Sequence, residues 1–218
     1  MLKPLNALEF IQTMIDFVLH IDKHLVEIVS EYSTWTYLIL FIIIFAETGF
    51  VVTPFLPGDS LLFAAGAIIA RPESGLNIFF MGLLLIAAAV LGDMANYHIG
   101  DYIGPKAFSG KYKLLKKEYL EKTQHFYDKH GGKTIIYARF VPIVRTFAPF
   151  IAGIGTMSYA RFASYNVVGG VAWVSSFLFL GYFFGGLPLI KDNFTYVIFA
   201  IILISLIPPL FEVLRKKK

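Results

Sequence analysis

The stretch Ala-Arg-Phe-Val-Pro-Ile-Val-Arg-Thr-Phe-Ala-Pro, residues 138 to 149, sets Arg139 and Arg145 beside Pro142 and Pro149 in a run that is otherwise apolar from Ile135 to Met157. Proline lacks an N–H and clashes with the preceding turn, so one continuous helix is disfavoured here. A guanidinium at the centre of a bilayer costs roughly 2.5 to 3.5 kcal/mol even on a lenient insertion scale, so both arginines need partners. Non-helical backbone at membrane depth is tolerated only where it is buried in protein or lines a cavity. The stretch therefore predicts a broken, re-entrant hairpin whose charges face inward.

The rest of the chain fits that setting. Of its 218 residues, 57% are hydrophobic and 16% charged, well below the roughly 25% charged residues of soluble domains, and the mean hydropathy is +0.68. These values predict one integral membrane domain. There is no cysteine, which excludes disulfides and thiolate metal sites and leaves the redox compartment open. Glu9 and Asp16 interrupt what would be the apolar core of a signal peptide, so the first segment is expected to stay. The net charge of +4 is concentrated in eight lysines between Pro105 and Lys133 and in the tail Arg215 to Lys218. Both segments are expected on the cytoplasmic side, as loops flanking membrane spans rather than as a nucleic-acid surface.

Five segments follow. Residues 1–34 carry polar positions three to four apart and read as an amphipathic helix. His20 and His24 lie one turn apart within it, as part of a solvated face rather than a metal site. Residues 35–104 form a first unit. Its apolar run from Trp35 to Val52 contains Glu47 and meets Pro54, Pro57, Gly58 and Asp59, predicting a first broken hairpin, followed by a span over Leu76 to Ile103. Residues 105–134 are a basic amphipathic loop, helical up to Gly131-Gly132. Residues 135–187 repeat the theme with the opening stretch and a span over Phe162 to Gly186. Residues 188–218 give a last span, Phe194 to Leu214, and the basic tail.

A faint internal repeat links the two units. PGDSLLFAAG, 57–66, can be set beside RTFAPFIAG, 145–153, and Gly100-x-x-x-Gly104 beside Gly181-x-x-x-Gly185. Paired interrupted segments point to an inverted-repeat transporter with its site where the breaks meet. The expected fold is an all-α polytopic membrane protein, an inverted-repeat, transporter-like bundle with two opposed re-entrant hairpins.

Glu47 and Asp59 in the first broken segment balance Arg139 and Arg145 in the second, and mutual pairing is the economical arrangement. Arginine stays charged and presents a planar fork suited to phosphate, so the arginines are the candidate binders of an anionic phosphorylated ligand. Buried carboxylates can exchange protons, so Glu47 and Asp59 are the candidate proton-coupling and gating acids.

Three motifs carry a resemblance: residues 45–62, FAETGFVVTPFLPGDSLL; 92–100, Gly-Asp-x-x-Asn-Tyr-x-Ile-Gly; and 138–153, ARFVPIVRTFAPF-x-AG. Long, ordered and spread over nearly the whole chain, they resemble the bacterial DedA family. The resemblance implies a bacterial inner-membrane protein of the group that includes eukaryotic lipid scramblases of the VTT (SNARE-associated Golgi) type. It implies two opposed re-entrant hairpins and a role in envelope homeostasis. Some relatives are implicated in returning undecaprenyl phosphate to the cytoplasmic leaflet, others in proton-dependent tolerance of alkaline pH. The family's essential acids and arginines carry over onto Glu47, Asp59, Arg139 and Arg145; Asp93, Tyr97, Pro142 and Pro149 are the candidate supporting residues.

The expected function is a proton-linked transporter, flippase-like or scramblase-like, that moves a polyprenyl phosphate or a related anionic phospholipid between leaflets. The alternative is a proton-coupled antiporter for cations or small solutes, with structural arginines. An intramembrane enzyme is disfavoured: there is no His-Glu-x-x-His motif, Gly58-Asp59 has no second aspartate motif, and Ser60 has no evident base. No cofactor or metal is expected. The partners are lipid, protons and membrane, with a homo-oligomer left open.

Overall fold

The computed structural model describes residues 34–50, 58–71, 74–104, 106, 117–188, 190, 193, 196–197 and 200–201. The expected amphipathic helix of residues 1–34, with His20 and His24, the Pro54 and Pro57 break, and the last span with its basic tail fall almost entirely outside them. Every regular element among the described residues is helical. In chain order these are α1 (Trp35–Gly49), α2 (Gly58–Ile69), α3 (Ile78–Ile103), α4 (Lys117–His130), a 3₁₀ turn (Gly131–Lys133), α5 (Thr134–Ala138), α6 (Pro142–Ile151), a π turn (Ala152–Thr156) and α7 (Tyr159–Phe184).

Only α3 and α7 are both long and apolar enough to cross a membrane among the described helices. Each has 26 residues, rising about 39 Å against a hydrocarbon core of about 30 Å. Asn77 starts α3 by accepting a hydrogen bond from the Phe80 N–H at 3.0 Å, and Gly104 closes it with a φ of 57° that a Cβ would resist. By contrast α1, α2 and α6, at 15, 12 and 10 residues, are each too short to cross alone.

The opening stretch breaks between its two arginines. α5 stops at Ala138, Arg139 caps it, and Val141 is extended at φ −123°, ψ 101°. Pro142 then begins α6, where a missing N–H costs nothing because the first turn has no intrahelical acceptor. Pro149, expected as a second break, instead lies inside α6. It removes the donor that the Arg145 carbonyl four residues earlier would use.

Two apolar cores lie at opposite ends of the long helices. The first joins α1 and α2 to Met81, Leu85 and Ala88 of α3 and to Trp173, Val174 and Leu178 of α7. The second joins α5 and α6 to Tyr97 of α3 and Phe162 of α7. α3 and α7 therefore run in opposite directions, and their buried polar residues Asp93, Asn96 and Asn166 lie between the cores.

Helix contacts rest on glycine meeting carbonyl. A Cβ on Gly66 of α2 would strike the Leu178 carbonyl of α7, and one on Gly181 of α7 would strike the Phe63 carbonyl of α2. On the other side, Gly153 meets the Tyr97 carbonyl of α3 and Gly100 of α3 meets the Phe150 carbonyl. In lipid, where water does not drive helices together, such close approach supplies the packing energy. Gly181→Val and Gly153→Val are each expected to cost on the order of 1–3 kcal/mol or more through overpacking, read as lowered unfolding midpoints in detergent. Gly186→Ala, which meets nothing within 4 Å, is expected to melt with the parent.

Candidate functional site

Between the two cores, Asp93 and Asn96 of α3 and Asn166 of α7 are buried, and the broken segments bring their charges to the same layer. Arg145, one turn into α6, stands between two carboxylates, one from α1 and one from α2. Its Nη1 donates to Asp59 Oδ1 at 3.1 Å. Its Nη2 lies 2.8 Å from Glu47 Oε1, an ion pair without hydrogen-bond alignment. The guanidinium carbon is 4.4 Å from the centre of the Trp173 ring on α7, where a cation is attracted to the ring face. The same indole donates its N–H to Asp59 Oδ1 at 2.7 Å. Trp173 thus orders both members of the Arg145–Asp59 pair.

Glu47 ends up here because α1 stops two residues after it, at Gly49. Asp59 is the second residue of α2, close to the positive end of that helix. A Cβ on Gly58 would run into the Glu47 carboxylate, which would have to shift away.

Arg139 is held elsewhere, and the expectation that Glu47 and Asp59 pair with both arginines is corrected. Its Nη2 donates to Asp93 Oδ2 and to Asn166 Oδ1, each at 2.6 Å. The cause lies in the backbone: Arg139 ends α5, and its side chain runs over Gly169 and Gly170 of α7, which aims the guanidinium at α3 and α7. Arg145, beyond the break, faces α1 and α2. Among the described residues the charged layer therefore holds three carboxylates, Glu47, Asp59 and Asp93, rather than two. Asp93, expected only as a supporting residue, is a direct ion-pair partner.

The other supporting residues divide. Tyr97 donates its hydroxyl to the Met157 carbonyl at 2.9 Å and stacks on Phe162 at 4.6 Å. It belongs to the second core and none of its described contacts is with the charges. Pro149 lines the small cavity at the charged layer, while Pro142 acts through the backbone as the start of α6. Tyr127 of α4 donates to the Ala148 carbonyl beside Pro149 at 2.8 Å. Burial pushes its phenol well above the ordinary range, so it stays a donor.

Sequence reasoning passed over Asn96, Asn166 and Trp173. The Asn96 amide donates to the Thr48 carbonyl at 3.1 Å and the Thr146 carbonyl at 3.0 Å. One side chain on α3 thereby ties the residue after Glu47 to the residue after Arg145. Asn166 donates to the Val90 carbonyl at 3.0 Å while accepting from Arg139. A usable signal existed, because an asparagine inside a long apolar helix has to find partners there. Trp173 gave none, since interior aromatics ordinarily just pack.

Glu47, Thr48, Asp93, Arg139, Arg145 and Thr146 all border one cavity of about 10 Å³, room for about one water. In this arrangement both arginines are engaged by acids.

Comparison with known proteins matches the chain to the VTT domain over residues 56–183. It is 54% identical to Protein DedA of Escherichia coli K12 over 212 residues, covering 97% of each chain. An uncharacterized membrane protein of Mycobacterium tuberculosis is 43% identical over 177 residues, covering 81% of this chain and 78% of the relative. Inner membrane protein YghB of Escherichia coli K12 is 33% identical over 211 residues, covering 93% and 92%. No solved structure matches.

Removing Arg145 takes its guanidinium away from the buried Glu47 and the half-buried Asp59. Arg145→Ala is expected to cost on the order of 3–5 kcal/mol, the usual penalty for breaking a buried pair from one side, seen as a lowered unfolding midpoint. Adding Glu47→Gln and Asp59→Asn to it is expected to recover most of that loss. Equal melting of the single and triple variants would contradict the pairing.

Proposed function

The chain belongs to the DedA family of VTT-domain membrane proteins, and from that footing we propose that it is a proton-linked lipid transporter of the bacterial inner membrane. It moves undecaprenyl phosphate or a related anionic phospholipid between leaflets, in the service of envelope homeostasis. No chemical step is part of this reading. The observation that carries it is the convergence of Arg139 and Arg145 on one cavity together with Glu47 and Asp93. Two guanidinium forks aimed into one polar layer inside an apolar bundle suit a phosphate group, while the acyl or prenyl chain stays in lipid.

The cycle follows from charge. With the acids ionised, the arginines are occupied, as the ion pairs of Arg145 with Glu47 and Asp59 and of Arg139 with Asp93 illustrate. Protonation of Glu47 and Asp59 frees Arg145 for phosphate, and deprotonation reclaims it and expels the lipid. A cavity of about 10 Å³ cannot hold a phosphate, so loading requires the broken segments to part. The inverted-repeat architecture with two opposed re-entrant hairpins, several spans and a cytoplasmic C-terminus belongs to the same proposal. It draws support from the two glycine contacts: Phe63 with Gly66 meets α7 in the way that Phe150 with Gly153 meets α3. These are the residues that the internal repeat sets side by side.

Cation antiport is a second reading, favoured by the surplus of one carboxylate over arginine in the described layer. Against a metal-like ion site, no three acidic or histidine side chains among the described residues converge on one point.

Purified protein in liposomes loaded with undecaprenyl phosphate on one leaflet decides between them. Arg139→Ala and Arg145→Ala are each expected to slow appearance of the lipid on the other leaflet by on the order of tenfold or more, the worth of a charged hydrogen bond. Both variants keeping the parent rate would overturn the lipid reading. Transport that follows a cation gradient and ignores the lipid would establish the second.

A further inference from the structure

We infer that Asp93, with Asn166, is a separate proton-sensitive latch for Arg139, so that the two arginines are released by different acids. This rests on the proposed reading of the arginines as the phosphate site and deepens it.

The geometry separates the two arginines. Arg145 has two carboxylates, Glu47 at 2.8 Å and Asp59 at 3.1 Å, and the Trp173 ring. Arg139 has one carboxylate, Asp93 at 2.6 Å, with Asn166 accepting from the same nitrogen. The Arg139–Asp93 pair uses neither Glu47 nor Asp59, so neutralising those two leaves Arg139 bound to Asp93. Its Nε, buried, has no hydrogen-bond partner among the described residues. The guanidinium is thus fastened at one nitrogen, against α3 and α7, with donors in reserve.

Loss of the Asp93 charge removes its only paired carboxylate among the described residues. Asn166 alone is a neutral acceptor and holds a guanidinium more weakly than a carboxylate does. Asn166 also fixes the direction of release, because its amide is tied to the Val90 carbonyl on α3 at 3.0 Å and its oxygen cannot follow Arg139 into the cavity. The charged or titratable groups facing Asp93 are Arg139 at the end of α5, Arg145 of α6, Glu47 of α1 and Tyr127 of α4. α7 contributes the neutral Asn166.

Trp173 provides the readout, since Arg139 lies 5.8 Å and Arg145 4.4 Å from its ring centre and Trp35 is the only other tryptophan. In a Trp35→Phe background, emission of the ligand-free protein is followed against pH in detergent. Two transitions are expected, with Asp93→Asn removing one and leaving the other. Farnesyl phosphate is then titrated at several pH values. Asp93→Asn is expected to bind it more tightly than the parent at alkaline pH, with the slope of log Kd against pH lowered by up to about one. Asn166→Asp, which gives Arg139 a second carboxylate, is expected to act oppositely: weaker binding at alkaline pH, recovered on acidification. Opposite signs distinguish a latch from a structural role, which predicts that both variants lose binding with an unchanged slope. An Asp93→Asn emission profile identical to the parent's would overturn the inference. If the parent binds no farnesyl phosphate, the lipid reading fails instead, and the ligand-free profile still decides the role of Asp93.

Discussion

Everything in this structure is arranged around one costly fact: guanidinium groups and carboxylates lie in the middle of an apolar bundle. The Arg145 contacts with Glu47 and Asp59 show how the cost is met. Glu47, Asp59, Arg139 and Arg145 come from helix ends or a break, where a side chain and free backbone groups reach the same depth, whereas Asp93 lies inside the continuous α3. Glu47 sits at the end of α1, Asp59 at the start of α2, and Arg139 and Arg145 on either side of the break before Pro142. A charge pair of this kind adds little net stability compared with apolar packing, yet loss of one member is expensive. Stability alone does not account for its presence.

The packing follows from the same constraint. To enclose the charges, the broken segments must lie close against α3 and α7, and glycine allows backbone to touch backbone at Gly66, Gly100, Gly153 and Gly181. The long helices then supply neutral polar groups at the charged layer. Asn96 joins the carbonyls of Thr48 and Thr146, and Asn166 joins Val90 to Arg139. These asparagines hold the positions of the charges without adding to their number. Apolar cores on either side exclude water, which strengthens every electrostatic contact between them.

Much of this was legible in the chain itself. The prolines and arginines of residues 138–149 announced a broken, inward-facing segment, because both carry penalties that a plain span cannot meet. The apolar runs announced α3 and α7 to within a few residues, since spanning length is set by bilayer thickness and helical rise. Glu47, Asp59, Arg139 and Arg145 stood out for the same reason: ionisable residues are rare in such runs. Asp93 was visible but ranked lower, and Asn96, Asn166 and Trp173 were passed over.

What the sequence by itself determined, then, was which residues are too costly to face lipid and where the helices must stop, because those are properties of single residues and their immediate neighbours. Who partners whom was decided only in the tertiary structure. A count of two acids against two arginines suggested one shared network, but the turn after α5 carries Arg139 across Gly169 and Gly170 to Asp93 and Asn166, while α6 carries Arg145 to Glu47, Asp59 and Trp173. Pairing depends on the direction in which each backbone segment aims its side chain, and that direction is set by the packing of helices far apart in the chain.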